Sequence, residues 1–253
     1  MGAALDRQVA IVTGGARGIG RGCALALAAR GCAIALVDVL EVELARTCEE
    51  IGAEGVPCLA LTADVADHGL AAEVVAGIMA EWGRIDILVN NAGRSMPKGI
   101  GEITEAEWDA TIDVNLKSCF NYIQAAAPVM QAAGHGRIVS MSSLNAHSGG
   151  VTAAVSRFAY AAAKAGIVGL TRALAKELGP EILINAICPG LIKTETAKNP
   201  VIAAREPELV RGIALNRVGT PRDVAELVAF LTLSDPCFIT GQDITIDGFQ
   251  WNR

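Results

Sequence analysis

The sequence predicts an α/β fold, a parallel seven-stranded sheet with helices on both faces, and three observations carry this. Seven short apolar or β-branched runs alternate with longer stretches of helical composition, the pattern of parallel strands joined by crossover helices. No short-period repeat, low-complexity tract or long linker interrupts the alternation, so residues 1–253 read as a single domain. The length suits one large α/β domain with an ample core.

The first strand is Val9–Thr13, and Thr13-Gly14-Gly15-Ala16-Arg17-Gly18-Ile19-Gly20 turns it into a helix over 18–30. Glycines there let the backbone reverse sharply and approach a ligand closely. The second strand, Ala33–Asp38, ends on a carboxylate and leads to a helix over 41–52. Val56–Thr62, a helix over 67–82 and Ile85–Asn90 follow. A helical window over 105–132 contains Asn115, a poor helix former. Arg137–Ser142 is the fifth strand. From about Ser156 to Leu178 there is no Pro and much Ala and Leu, which reads as one long helix. Ile182–Cys188, a helix over 221–234 and Ile244–Asp247 complete the series. Between them, 191–216 holds Pro200 and Pro207 without a clear period; its place after a strand's carboxyl end suits a lid over a crevice.

Composition excludes several functions. A net charge of -6, with no block of Lys or Arg, argues against nucleic acid or an anionic membrane as partner. With 52% hydrophobic and 19% charged residues, apolar surface is abundant, and part of it is expected between subunits. Seven cysteines, an odd number without Cys-x-x-Cys spacing, imply neither a disulfide frame nor a metal site, but thiols in a reducing cytoplasm. The opening Met-Gly-Ala-Ala-Leu-Asp shows no basic-then-apolar leader, and Asp6 stands where a myristoylation signal needs Ser or Thr. Windows 118–136 and 138–156 lack charged residues, but Asn121, Gln124, Pro128 and Gln131 break the first and many Ser, Asn and Gly the second. A soluble cytoplasmic protein is expected.

A lone glycine-rich turn is weak evidence, because tight strand-to-helix turns use glycine anyway. Here a strand precedes it, a helix follows, and Asp38 stands where a carboxylate accepts hydrogen bonds from an adenosine ribose. The pyrophosphate would lie on the free N–H groups of the helix N-terminus. Val39 and Leu40 offer no cation for a 2′-phosphate, so the expected cofactor is NAD rather than NADP. A helix-capping Asp38 is the plainer alternative, and it leaves the spacing unexplained.

Tyr160 and Lys164 lie four residues apart in the long helical run, hence on one face. A free tyrosine ionises near pH ~10, so a tyrosine acting as a base at neutral pH needs roughly 4 kcal/mol of preference for its phenolate. A cation at ~4 Å supplies about 1 kcal/mol in water and about 4 at an effective dielectric of ~20. Such a pair works only in a cleft that excludes water. Taken alone, Tyr-x-x-x-Lys is no more than an interfacial tyrosine beside a solvated lysine.

The spacing Gly-x-x-x-Gly-x-Gly, Asn90-Asn91-Ala92-Gly93, Asn115, Ser143, Tyr160-x-x-x-Lys164 and Pro189-Gly190 occur in one order along the chain. Together they resemble the short-chain dehydrogenase/reductase family over essentially the whole length. The resemblance implies a three-layer, doubly wound Rossmann fold and hydride transfer between a nicotinamide dinucleotide and a secondary alcohol or ketone. It implies that Tyr160 exchanges a proton with the substrate oxygen, and that Lys164 supports Tyr160 and hydrogen-bonds the nicotinamide ribose. Ser143 would hold the substrate oxygen, with Ser140 and Ser142 as neighbours on a polar strand end. Asn115 would hold a water in a relay to Lys164, against the plainer reading of a kinked helix turn. For the cofactor it implies Gly14, Arg17, Gly18, Ile19 and Gly20 at the turn, with Asp38 at the ribose. Asp64 and Val65 would contact adenine, and Asn91, Ala92 and Gly93 the adenosine ribose side. Pro189, Gly190, Ile192 and Thr194 would support the carboxamide.

Two departures bear on substrate. Ser143 and Tyr160 are 17 residues apart, longer than the roughly 13 of the family's usual pattern. The extra length brings Asn145, His147 and Ser148, which either hydrogen-bond a hydroxylated substrate or form a surface loop. The tail Asp247-Gly248-Phe249-Gln250-Trp251 lacks the family's second Gly, and Phe249 and Trp251 are expected in a subunit contact. The leading expectation is an NAD-dependent enzyme of a polyol or sugar-like alcohol. A 3-oxoacyl-[acyl-carrier-protein] reductase is second, although Gly134-His135-Gly136 and Pro180-Glu181 offer no cation cluster for an acidic carrier. A dinucleotide-binding protein without catalysis is third. The long helices over 105–132 and 156–178 are expected to pair across two-fold axes in a homotetramer.

Overall fold

The computed structural model describes residues 5–150, 156–194 and 206–250. In the first strand, β1 (Val9–Thr13), Val9 and Ile11 belong to one apolar layer while Ala10 and Val12 belong to the other. That alternation is why the run is apolar without a break: both faces are covered by helices. β2 (Ala33–Asp38) repeats the pattern, with its first five residues fully buried. With β3 (Cys58–Thr62), β4 (Ile87–Asn90), β5 (Gly136–Met141), β6 (Ile182–Pro189) and β7 (Asp243–Ile246), they form one parallel sheet in the order β3-β2-β1-β4-β5-β6-β7. The chain builds outward from β1 on one side, then crosses to β4 and builds outward on the other. The direction reverses between β1 and β4, and the crevice beyond their carboxyl ends is where such sheets hold ligands.

On one face lie α1 (Gly18–Ala28), α2 (Glu41–Ala53) and a late helix, Pro221–Leu233; Leu27, Leu44, Ile51, Val224 and Val228 fill that layer. On the other lie α3 (His68–Trp82), α5 (Ser118–Ala133) and α7 (Phe158–Glu177), bringing Ile78, Trp82, Tyr122 and Ile167. The short α4 (Glu105–Ile112) precedes α5, α6 (Asn145–Ser148) precedes α7, and α8 (206–210) comes before Pro221–Leu233, which is α9.

The helical window over 105–132 is not one α-helix. A π turn, Asp113–Lys117, separates α4 from α5. The wider turn accommodates an extra residue and turns Asn115 into the interior, where it is fully buried. Residues 195–205, the centre of the segment expected to cover the crevice, lie outside the described residues, as do 1–4, 151–155 and Trp251. No helix among the described residues is long and apolar enough to cross a membrane.

α9 begins at a reciprocal capping box. Thr220 Oγ1 accepts the Asp223 N–H at 3.3 Å, and Asp223 Oδ2 accepts the Thr220 N–H at 2.7 Å. Arg217 adds two bonds to the same carboxylate, at 2.7 and 2.8 Å, which with the Thr220 bonds hold Asp223 below the usual carboxylate range. Asp223→Ala is therefore expected to lose about 1 kcal/mol of stability, which lowers Tm by roughly 2–4 °C for a chain of this size. A folded-state value below the unfolded one means that this contribution is complete above about pH 4 and is lost as pH falls through the lowered value. Thermal melts of parent and variant at neutral pH and near pH 3 check both parts, the gap narrowing in acid.

Candidate active site

The glycine turn is fastened to β4 by side chains rather than by sheet pairing alone. Thr13, buried at the end of β1, accepts the N–H groups of Asn91 and Ala92 on Oγ1 at 3.0 and 3.1 Å. Asn91 returns two bonds, from Nδ2 to the carbonyls of Thr13 and Gly14 at 3.0 and 3.1 Å. Glycine is needed at two points of this joint. Gly14 has φ +64°, and a Cβ there would lie 2.9 Å from Ala92 Cα. A Cβ at Gly20 would overlap the Gly14 carbonyl oxygen and Asn91 Nδ2.

Beyond this joint a cavity of about 760 Å³ is lined by Gly14, Arg17, Gly18, Ile19, Asp38, Asp64, Val65, Asn91, Ala92 and Gly93 among others. Gly14 and Gly18 present bare backbone to this cavity, and α1 opens into it with no side-chain cap at Arg17 and no acidic residue in its first turn. Uncapped N–H groups of that kind suit a pyrophosphate. Asp38 accepts the Ala16 and Leu40 N–H groups at 3.1 Å each. A carboxylate offers about four lone-pair sites, so two remain for ribose hydroxyls. The residues present fit an adenosine dinucleotide. Of the turn residues expected at the cofactor, only Gly20 does not line the cavity; its place is inside the joint.

A second cavity of about 340 Å³ adjoins the first, and both share Ile19, Asn91, Gly93, Arg94 and Thr194. Its walls include Ser143, Asn145, Tyr160, Lys164, Pro189, Gly190 and Ile192. Tyr160 and Lys164 leave α7 one turn apart. Lys164 is only 3% exposed, donates from Nζ to Met141 O at 2.7 Å, and stands 5.5 Å from the centre of the Tyr160 ring. Ser142 donates to Lys164 O at 2.8 Å, so the end of β5 grips α7 by two bonds. The three serines therefore divide. Ser140 is buried against Asn90; Ser142 and Ser143 both line the cavity, but the Ser142 hydroxyl is spent on α7, while Ser143 accepts only the Asn145 N–H at 3.2 Å and keeps its own proton to donate.

Asn115 does not reach this cavity. Its Oδ1 accepts the Arg94 N–H at 3.1 Å, and its Nδ2 donates to Arg94 O at 2.9 Å and Thr111 O at 3.0 Å. Both ends of the amide are used in clamping the backbone of Arg94, so a water relay through this residue would use its main-chain carbonyl. Of the three loop residues with two readings, Asn145 lines the cavity, whereas Ser148 donates to Leu144 O at 3.2 Å within its own turn and His147 turns to Asp243 at 3.1 Å. Arg172 holds the other oxygen of Asp243 at 2.6 Å. Cys188 lies close by, its ligand atom within 4.8 Å of theirs, but burial pushes its thiol up and Arg172 already neutralises the carboxylate. The Arg172–Asp243 ion pair ties α7 to β7, and His147 of α6 packs against the same carboxylate.

Two residues of the site escaped sequence reasoning. Thr13 could have been found as a hydroxyl closing a strand just before the glycines, and Arg94 as a cation directly after Asn-Ala-Gly.

A family model described as enoyl-(acyl carrier protein) reductase matches residues 14–248. The 3-oxoacyl-[acyl-carrier-protein] reductase FabG of Thermotoga maritima is 38% identical over 247 residues, covering 96% of this chain and 98% of its own. The oxidoreductase UcpA of Salmonella typhimurium is 37% identical, with 96% and 94% covered. Among solved structures, a candidate short-chain alcohol dehydrogenase from Sinorhizobium meliloti superposes with a TM-score of 0.89 at 36% identity, covering 97% of this chain and 96% of that one.

Proposed function

The chain belongs to the short-chain dehydrogenase/reductase family, an oxidoreductase acting on CH–OH groups with a nicotinamide dinucleotide, and on that premise we propose that it is NAD-dependent and interconverts a secondary alcohol, polyol or sugar-like, with its ketone. One observation carries the proposal. A buried lysine is held beside Tyr160 in the wall that also presents Ser143, in a cavity continuous with the glycine-turn cavity.

The bound nicotinamide supplies hydride exchange at the substrate carbon. Everything else falls to this chain. Ser143 hydrogen-bonds the substrate oxygen and orients it. The Tyr160 hydroxyl passes a proton to that oxygen in reduction, and its phenolate accepts one from it in oxidation. Lys164 puts a unit positive charge beside the phenol, away from water, and stabilises the negative charge left when the proton departs. Met141 O and Ser142 fix the lysine and its helix, so the charge needs no rearrangement during the reaction. Asn115 holds the Gly93–Arg94 wall in place. Thr13, Asn91 and the turn glycines seat the dinucleotide, with Asp64 and Val65 at adenine and Pro189, Gly190, Ile192 and Thr194 along the carboxamide.

NAD is preferred over NADP because Asp38 would face a 2′-phosphate, and Val39 and Leu40 beside it bring no counter-charge. Charge-assisted hydrogen bonds are worth enough that Asp38→Ala should lower kcat/KM with NAD by about 10- to 100-fold while leaving NADP unharmed or improved. Equal loss with both cofactors would contradict this assignment. An absorbance screen of alcohols and ketones with NAD and NADP tests the function as a whole, with ~10 s⁻¹ the typical turnover to expect. Failure of every substrate to consume either dinucleotide would refute it and leave a binding protein.

The second reading, reduction of 3-oxoacyl chains on a carrier, is favoured by the name of the Thermotoga maritima relative. A carrier thioester reduced faster than any polyol is oxidised would establish it instead. We assign a homotetramer from the broad faces of α5 and α7 and the exposed Phe230, Phe238 and Phe249. Light scattering should give the mass of four chains, and a monomer at micromolar concentration would contradict it. The seven free thiols favour a cytoplasmic setting.

A further inference from the structure

The two cavities differ in charge. The cavity at the glycine turn is lined by three carboxylates, Asp38, Asp64 and Asp113, and by Arg17 and Arg94. Among the described residues, no Asp or Glu lines the cavity at Tyr160, and its charged groups are Arg94 and Lys164. In a chain with net charge -6, an acid-free cavity holding two cations is a selective surface. Lys164 is buried, donates one of its three N–H groups to Met141 O and stands beside the Tyr160 ring, so its charge serves the phenol. Arg94 is exposed, lines both cavities at their junction, and has no ion-pair partner among the described residues.

Its backbone, moreover, is fixed. Asn115, itself without solvent exposure, binds both the N–H and the carbonyl of Arg94, and the Arg157 N–H bonds Met96 O at 2.8 Å just downstream. A planar guanidinium on a braced segment matches a carboxylate by two parallel hydrogen bonds. Ser95, Asn145 and Gln250 line the same cavity and suit hydroxyl groups.

We propose that Arg94 is a specificity-determining residue and that the substrate is a hydroxylated carboxylic acid, its carboxylate bound by the Arg94 guanidinium while the carbinol meets Tyr160 and Ser143. This rests on the dehydrogenase reading above and adds the substrate's charge to it.

The test pairs each acid with a neutral analogue, gluconate with sorbitol and 3-hydroxybutyrate with its methyl ester, for the parent, Arg94→Ala and Arg94→Lys. The parent should prefer the acid of at least one pair, and Arg94→Ala should lower kcat/KM for that acid by about 10- to 100-fold while sparing the ester or polyol. Arg94→Lys should restore part of the loss, since it keeps the charge without the fork. A second readout does not need turnover: calorimetric titration of gluconate or 3-hydroxybutyrate into the NADH complex, with binding weakened to a similar degree in Arg94→Ala. A parent indifferent to the carboxylate, or an Arg94→Ala loss shared by acid and neutral substrate through the KM for NAD, would overturn the proposal. So would a loss confined to acetoacetyl-CoA, which would place a phosphate rather than a carboxylate on the arginine. Carboxylate binding that depends on Arg94 without any oxidation would uphold the anion site and sink the dehydrogenase reading. Oxidation of neutral alcohols without such binding would do the reverse.

Discussion

Tyr160→Phe is expected to turn over roughly 100- to 10,000-fold more slowly than the parent chain, the range that one general acid–base group contributes. The substitution removes one oxygen and leaves the ring beside Lys164, so the packing of α7 should be unchanged. Lys164 keeps its bond to Met141 O, and Ser142 keeps its bond to Lys164 O. The cavity proposed to seat the dinucleotide should therefore keep its shape. Loss of turnover without loss of dinucleotide affinity, read by fluorescence titration of NADH, separates chemistry from binding. If both fell together, Tyr160 would be a binding residue.

Gly20→Ala is the second large effect, and two terms compete in it. Alanine at a helical position gains about 1 kcal/mol over glycine. Against this, the new Cβ would overlap the carbonyl oxygen of Gly14 and the side-chain nitrogen of Asn91. The carbonyl is backbone and Asn91 is bonded to Thr13 and Gly14, so neither can step aside cheaply. Overpacking of this kind costs about 1–3 kcal/mol or more. The clash wins, and it is relieved by moving the turn that would seat the pyrophosphate. With the alanine gain subtracted, up to about 2 kcal/mol remains, and dinucleotide affinity should fall by as much as about 30-fold. Undiminished NADH binding in a folded Gly20→Ala chain would show that the joint between the turn and β4 does not shape the site.

The seven strands were legible because each is a short apolar run between helical stretches, and β1 needs no polar face when both its sides are covered. Helix geometry puts Tyr160 and Lys164 on one face, but it was the other motifs in family order that singled the pair out. What lay beyond reach was tertiary. Asn115 advertised itself as a poor helix former, but the π turn that carries it inward depends on the backbone of Arg94, 21 residues away. His147 sits in a polar loop that reads equally as a substrate contact or as surface. Its partner Asp243 enters only when β7 pairs with β6. The division among Ser140, Ser142 and Ser143 likewise depends on how α7 lies across the end of β5. Propensity registers none of these, because each is settled by an element distant in sequence.

The most direct measurement follows deuterium from C4 of reduced nicotinamide into the product, in the parent chain and in Tyr160→Phe, with the ketone that the screen identifies. The parent should place one deuterium on the carbinol carbon for each dinucleotide oxidised, and Tyr160→Phe should bind the dinucleotide equally well yet transfer label roughly 100-fold more slowly or worse. Dinucleotide oxidised with no label in the product, or label transferred by the phenylalanine variant at the parent's rate, would contradict the account.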